Sequence, residues 1–129
     1  NLSTITGINA KTVATTTLYT VPAGKSLIIT DIVVRVTAFT AGSKTVQSVV
    51  SYGGNDPDYN NLSTNITYTV TAVNKSLSWI ILEIVLGFLL SAELPIYAAT
   101  TVFKINITTG SNATTETWSC DLFGYLIAT

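Results

Sequence analysis

Leu62-Ser63-Thr64-Asn65-Ile66-Thr67-Tyr68-Thr69-Val70-Thr71-Ala72 decides the fold class. Leu62, Ile66, Tyr68, Val70 and Ala72 fall on one side of a period of two, and Ser63, Asn65, Thr67, Thr69 and Thr71 fall on the other. A strand with that pattern turns one face to a core and the other to water, whereas a helix would scatter both sets around its axis.

The same period runs outward in both directions. Val13, Tyr19 and Val21 mark an earlier Thr-rich strand. The run from Leu27 to Val36 places Ile28, Ile32, Val34 and Val36 on one side, with Asp31 and Arg35 opposite. Val46, Val50 and Tyr52 outline a short strand. In the final strand Trp118, Cys120, Leu122 and Leu126 share a side and Asp121 lies on the other. Breaks at Pro22-Ala23-Gly24, Ala41-Gly42-Ser43, the run from Gly53 to Asp58, and Thr109-Gly110-Ser111-Asn112 separate these segments, and the first is expected to be a tight turn with proline at its first corner. The reading is an all-β chain of about eight strands forming a two-sheet β-sandwich, a jelly roll in particular.

The stretch from Trp79 to Leu90 is apolar but too short to span a bilayer as a helix, and it contains Glu83 and Gly87. Its β-branched residues favour a strand over Leu77 to Leu86, apolar on both sides: Leu77, Trp79, Ile81 and Val85 on one, Ile80, Leu82, Ile84 and Leu86 on the other. Such a strand needs cover on its second face, from a loop, a neighbouring subunit, or a strand that a neighbour supplies.

Length and composition bound the function. The 129 residues make one domain, 1–129, with a core of its own. Hydrophobic residues are 47% and charged residues 10%, against about a quarter in an ordinary domain. A surface so poor in charge resists aggregation when it is glycosylated or covered by partners. The net charge is −1 and the six basic residues are scattered, so there is no electrostatic footprint for nucleic acid. With no histidine and a single cysteine, Cys120, His-based acid/base chemistry, the usual zinc sites and an intrachain disulfide are all excluded. Cys120 reads as a small buried hydrophobe. The loop containing Asp56 and Asp58 offers oxygens but lacks the spacing of a calcium loop. The expectation is a protein that is not an enzyme and needs no metal or other cofactor.

Six Asn-X-Ser/Thr sequons occur, at Asn1, Asn61, Asn65, Asn74, Asn106 and Asn112, and each is expected to face solvent and accept an N-linked glycan. A chain that starts at Asn1 and holds no methionine is expected to have lost an initiator and an export signal. Both expectations place the protein outside the cell or on its surface.

Three segments together carry a resemblance. Tyr19-Thr20-Val21-Pro22-Ala23-Gly24-Lys25 leading into Ile28-Ile29-Thr30-Asp31-Ile32 resembles the opening hairpin of small β-sandwich domains in tailed-virus head and tail accessory proteins. Leu90-Ser91-Ala92-Glu93-Leu94-Pro95-Ile96-Tyr97 resembles the loop before a late strand in that group, though Glu93-Leu94 stands where the group usually has Gly-Asp. Asp121-Leu122-Phe123-Gly124-Tyr125-Leu126-Ile127 resembles its closing strand. The resemblance implies a homo-oligomeric structural domain, often displayed on a virion, with no catalytic residues to carry over. In its Thr-rich, charge-poor character the chain is also similar to donor-strand-complemented pilus subunits of archaea. That likeness implies that an extended arm, residues 1–17, completes a sheet in the next subunit. An ordinary first strand folded into its own domain is the alternative.

The reading that joins these features is a secreted structural subunit self-assembling into a surface filament, with copies of itself as partners. Leu2, Ile5, Ile8 and Val13 on the arm, and Trp79, Ile81 and Val85 on the doubly apolar strand, are the candidate interface residues. A virion surface component is the first alternative. A carbohydrate-binding module is the second, resting on aromatics among which only Tyr59 falls in a polar loop, while Trp79, Trp118, Tyr52, Tyr97 and Tyr125 fall in apolar patterns.

Overall fold

A computed structural model describes residues 1–40 and 96–129 in full and, between them, the backbone of strand residues 44–53, 59–61, 66–70 and 76–78. The described residues are all-β and contain no helix. Their strands are β1 (Ser3–Asn9), β2 (Ala14–Thr20), β3 (Lys25–Thr40), β4 (Lys44–Gly53), β5 (Tyr59–Asn61), β6 (Ile66–Val70), β7 (Ser76–Ser78), β8 (Val102–Thr109) and β9 (Thr115–Ala128). They make two sheets. The first, sheet A, has the order β1-β9-β3-β7, and the second, sheet B, has the order β2-β8-β4-β5, with β6 also on β4. Every pairing is antiparallel.

The sheets share one core. Sheet A supplies Ile8, Leu27, Ile29, Ile32, Val34, Val36, Trp118, Cys120 and Leu122, and sheet B supplies Leu18, Phe103, Ile105 and Ile107. Alternation explains β8 and β9 directly: Phe103, Ile105 and Ile107 point inward, as do Trp118, Cys120 and Leu122. Cys120 is buried, as its place in the alternation implied.

Two β-bulges change faces that strict alternation assigns. The β3–β9 register slips between Ile29 and Asp31, where β3 carries one extra residue. An extra residue inverts the side-chain parity that follows it. Leu27 and Ile29 are therefore in the core with Ile32, Val34 and Val36, and Ile28 lies half-buried on the opposite face, correcting the sequence assignment. In β1 the slip falls between Ile5 and Ile8 and contains Gly7 at φ +70°. Glycine takes that left-handed conformation without steric cost. The bulge lets Ile5 and Ile8, three residues apart, both face the core.

The turn after β2 is a sheet crossing and not a hairpin, because β2 lies in sheet B and β3 in sheet A. The Lys25 amide donates to the Pro22 carbonyl at 3.2 Å, and Gly24 adopts φ +71°. Pro22 is thus the first residue of the turn, and Ala23 and Gly24 form its corners. The β8–β9 link crosses between the sheets in the same way, and it is fastened to the β1–β2 corner. Ser111 donates its amide to the Ala10 carbonyl at 2.8 Å, and Ala10 donates to the Glu116 carbonyl at 3.1 Å. Lys11 Nζ reaches the Thr114 carbonyl at 2.9 Å.

Of the segment expected as a strand over 62–72, residues 66–70 are β6, and the rest lies outside the described residues. Of the expected strand over 77–86, only residues 77 and 78 are described, within β7.

Candidate interaction surface

The outward side of sheet A divides into a polar half and an apolar half. In the polar half, Thr4, Asp121 and Val33 lie side by side across β1, β9 and β3, as do Ser119 and Arg35 across β9 and β3. The Thr4 hydroxyl donates to Asp121 Oδ1 at 2.6 Å, and Asn1 Nδ2 donates to the same oxygen at 3.3 Å. Arg35 Nη2 donates to Ser119 Oγ at 3.2 Å and stands 3.9 Å from Asp121 Oδ2. Arg35 is half exposed, so water screens this ion pair and its contribution is small. These groups fasten the N-terminus to β9.

The apolar half begins where β1 ends. The last bond from that side is the Leu2 amide to the Leu122 carbonyl at 2.8 Å. Beyond Leu122, β9 continues beside β3 alone, with Phe123, Tyr125 and Ile127 directed outward. Tyr125 pairs with Ile28, and Leu27 forms an antiparallel bridge with Tyr97. The Tyr97 ring packs inward, edge-on to Phe103 at 4.9 Å between centroids. Ile96 is therefore directed outward beside Ile28. Tyr125, Ile28 and Ile96 form one lateral row across three chain segments, with Ile127 diagonal to it. Tyr125 is 68% exposed, Ile96 59% and Ile127 43%. Three of the four exposed large hydrophobic residues in the described part of the chain thus meet in one place. Tyr125, whose pattern suggested a core role, is an exposed surface residue.

The interior holds one anomalous group. Glu116 occupies an inward position at the start of β9 and is 1% exposed. Its Oε2 accepts the Trp118 indole N–H at 3.0 Å, and its Oε1 has no partner within hydrogen-bond distance among the described residues. Burial pushes the carboxyl above its ordinary range, against smaller downward pulls from Ser111 and Trp118. The Ser111 hydroxyl accepts the Ala113 amide at 3.0 Å and keeps its own proton to offer the carboxyl. The Cys120 thiol is pushed up to about 12, chiefly by burial and secondarily by Asp121. A thiol in that state is not a nucleophile at neutral pH.

A groove of about 250 Å3 runs between β1 and β2, lined by Thr6, Ile8, Asn9, Thr12, Thr16 and Ile107 among others. No titratable side chain lines it. Among the described residues, no three His, Cys, Asp or Glu side chains gather where a metal ion could be held, and no helix is long and apolar enough to cross a membrane.

The structure describes part of the residues expected to act together. Residues 3–9 of the expected arm form edge strand β1 on the chain's own β9. Leu2 and Ile5 pack against the chain's own core, and Ile8 is part of it. Val13 stands exposed at the β1–β2 corner. The positions of Trp79, Ile81 and Val85 lie outside the described residues. Among the sequons, Asn1 and Asn112 are exposed, but Asn106 is only 7% exposed, correcting the expectation that it faces solvent. It does lie on the outward side of β8. That strand is central, however, flanked by β2 and β4, and the Thr15 hydroxyl donates to Asn106 Oδ1 at 2.6 Å. Asn61 lies in β5, where only the backbone is described, and Asn65 and Asn74 lie outside the described residues.

Comparison with protein-family models, with curated proteins and with solved structures finds no match to this chain.

Proposed function

We propose that this chain is a structural subunit, secreted and self-assembling into an extracellular filament through contacts between copies of itself. The observation that carries the reading is the exposed row Tyr125, Ile28 and Ile96 with Ile127 beside it, in a chain whose charged residues are only 10%. Water-exposed aromatic and aliphatic side chains gathered on a sheet face mark an interaction site, and little charge surrounds them to oppose association. N-linked glycans at Asn1 and Asn112 would keep the remaining surface soluble.

The framework is a jelly-roll sandwich. Its support is the order of pairing: β1 with β9, β2 with β8, β3 with β7, and β4 with β5 and β6. Antiparallel pairs nested from the ends of the chain inward, and folded over into two sheets, are what that topology requires. Counting β5 and β6 as one interrupted strand against β4 gives eight.

Electron microscopy of the native material tests the function. Filaments containing the chain are expected, and a monomer that stays soluble at high concentration, with no filament or particle, refutes self-assembly. The virion surface reading is favoured by the same nested pairing together with the closing strand Asp121 to Ile127. Neighbouring genes for capsid or tail proteins would select it, and genes for export machinery would select the filament.

A further inference from the structure

The carboxyl of Glu116 lies where the β8–β9 link is fastened to the β1–β2 corner. It is 1% exposed, and one of its oxygens has no partner within hydrogen-bond distance among the described residues. Ser111 of the link stands next to it, and Ala10 of the corner donates its amide to the Glu116 backbone carbonyl at 3.1 Å. Ala10, Ser111 and Ala113 are all buried, so water reaches the carboxyl only when this cluster parts. The fastening itself is slight. The Ser111 amide reaches the Ala10 carbonyl at 2.8 Å, Lys11 Nζ reaches the Thr114 carbonyl at 2.9 Å, and the Thr114 amide reaches the Thr40 carbonyl at 3.0 Å. A corner held by so few bonds can open while the strands around it stay paired.

We propose that Glu116 is a proton-operated catch: while it holds its proton the β8–β9 link stays on the β1–β2 corner, and when the proton leaves, link and corner part locally and admit water. A neutral carboxyl can remain dry with the Trp118 indole as its partner, whereas a dry carboxylate needs a cation or several donors. None is at hand. Lys11 is exposed and its Nζ is held by the Thr114 carbonyl. Residues 110–114 of the link carry no charged side chain, nor do residues 37–40 of β3, where Phe39 pairs with Glu116. The next titratable group along β9 is Cys120, which keeps its proton up to about 12. β4 begins at Lys44, whose side chain lies outside the described residues and whose charge is constant from acid to neutral pH. Burial raises the closed carboxyl above the value near 4.5 that it regains once hydrated. The closed form is therefore fully favoured below about 4.5. Above that, the opening constant rises by up to about tenfold per pH unit, and it levels off past the raised value of the closed form.

Amide hydrogen exchange of the full chain, followed by NMR and corrected for intrinsic exchange, tests the catch. From pH 4 to pH 8 the protection of the Ser111 and Ala10 amides should fall by at least about tenfold. The Val21 and Leu27 amides, bonded to the Thr101 and Tyr97 carbonyls away from the corner, should change by less than about twofold. In Glu116→Gln the Ser111 and Ala10 protection should be flat across the same range. An equal fall in the glutamine variant overturns the proposal, because another group then drives it. An equal fall at Val21 and Leu27 also overturns it, because the opening is then global and no local catch exists. The wild type alone supplies a further readout should the variant not fold. The Trp118 indole N–H resonance should move in one step with a midpoint above 4.5, and Ser111 protection should level off past that midpoint. No step between pH 4 and pH 9, or a step with Ser111 protection unchanged, refutes the catch.

Discussion

Replacing Glu116 by glutamine should stabilise the protein at alkaline pH and change little in acid. The carboxyl is almost fully buried, one oxygen accepts the Trp118 indole and the other has no partner within hydrogen-bond distance among the described residues. A buried polar atom left unsatisfied costs about 1–3 kcal/mol, more when charged. The sign follows from the raised pKa of the carboxyl. The folded state holds the proton at pH values where the unfolded chain has released it. The group's contribution is therefore fully present below the ordinary value near 4.5 and is lost as pH rises through the higher folded value. Glutamine does not titrate and keeps an acceptor for Trp118. We expect near-equal stability at pH 4 and an advantage of about 1–2 kcal/mol for Glu116→Gln at pH 8. At about 2.1 cal/mol/K per residue, the unfolding entropy of 129 residues is about 0.27 kcal/mol/K, so the Tm gap should be about 4–7 °C. Thermal melts followed by circular dichroism at pH 4, 6 and 8 measure it. The other carboxyls are common to both proteins and cancel in the difference. Parallel pH profiles would show that Glu116 is not held neutral, and the argument from burial would be wrong.

Glycine positions give a second contrast. A Cβ on Gly110 would collide with the Lys11 carbonyl oxygen, so Gly110→Ala should cost about 1–3 kcal/mol by urea denaturation, or force the β8–β9 loop off the β1–β2 corner. Gly7 has open space around it, and Gly7→Ala should cost only the left-handed backbone conformation, about 1–2 kcal/mol, with the loop contacts intact. Glycopeptide mapping of natural material should find sugar at Asn112 and none at Asn106, whose side chain is buried beside Thr15; an occupied Asn106 would contradict that burial. Cys120 should resist a thiol reagent at pH 8 until the protein is denatured, and rapid modification of native protein would contradict its burial.

Much of the fold was legible because alternation is local. Each strand with one wet face shows its period of two, and β9 reads correctly from Trp118 to Leu126 with no knowledge of its neighbours. What escaped depends on partners. The bulges opposite Gly124 and at Gly7 insert a residue that only strand pairing reveals, so alternation puts Ile28 on the wrong face and leaves Leu2, Ile5 and Ile8 as interface candidates on an arm. Asn106 shows the difference between an outward position and an exposed one, which the neighbours of β8 decide. The exposed row has a similar origin, because Ile96 and Ile28 are far apart in the chain and meet through the Leu27–Tyr97 bridge. Glu116 was within reach of the sequence: stepping back by two from Trp118 places it inside.

The edges of the two sheets differ in a way that bears on assembly. Proteins blunt edge strands with bulges, charges or proline, because a long regular edge recruits further strands. On one side of the molecule β1 and β2 each carry a bulge, at Gly7 and between Thr17 and Tyr19. That side is discouraged from pairing. The length of β9 beyond Leu122 has neither a charge nor a proline, and the extra residue of the nearby β3–β9 slip belongs to β3, so β9 itself stays regular. That length of β9 is bordered by Tyr125 and Ile127. Exposed backbone and exposed apolar side chains each invite association separately. Exposed apolar side chains on β9, beside bulged strands β1 and β2, are what the self-assembly reading expects of one contact surface.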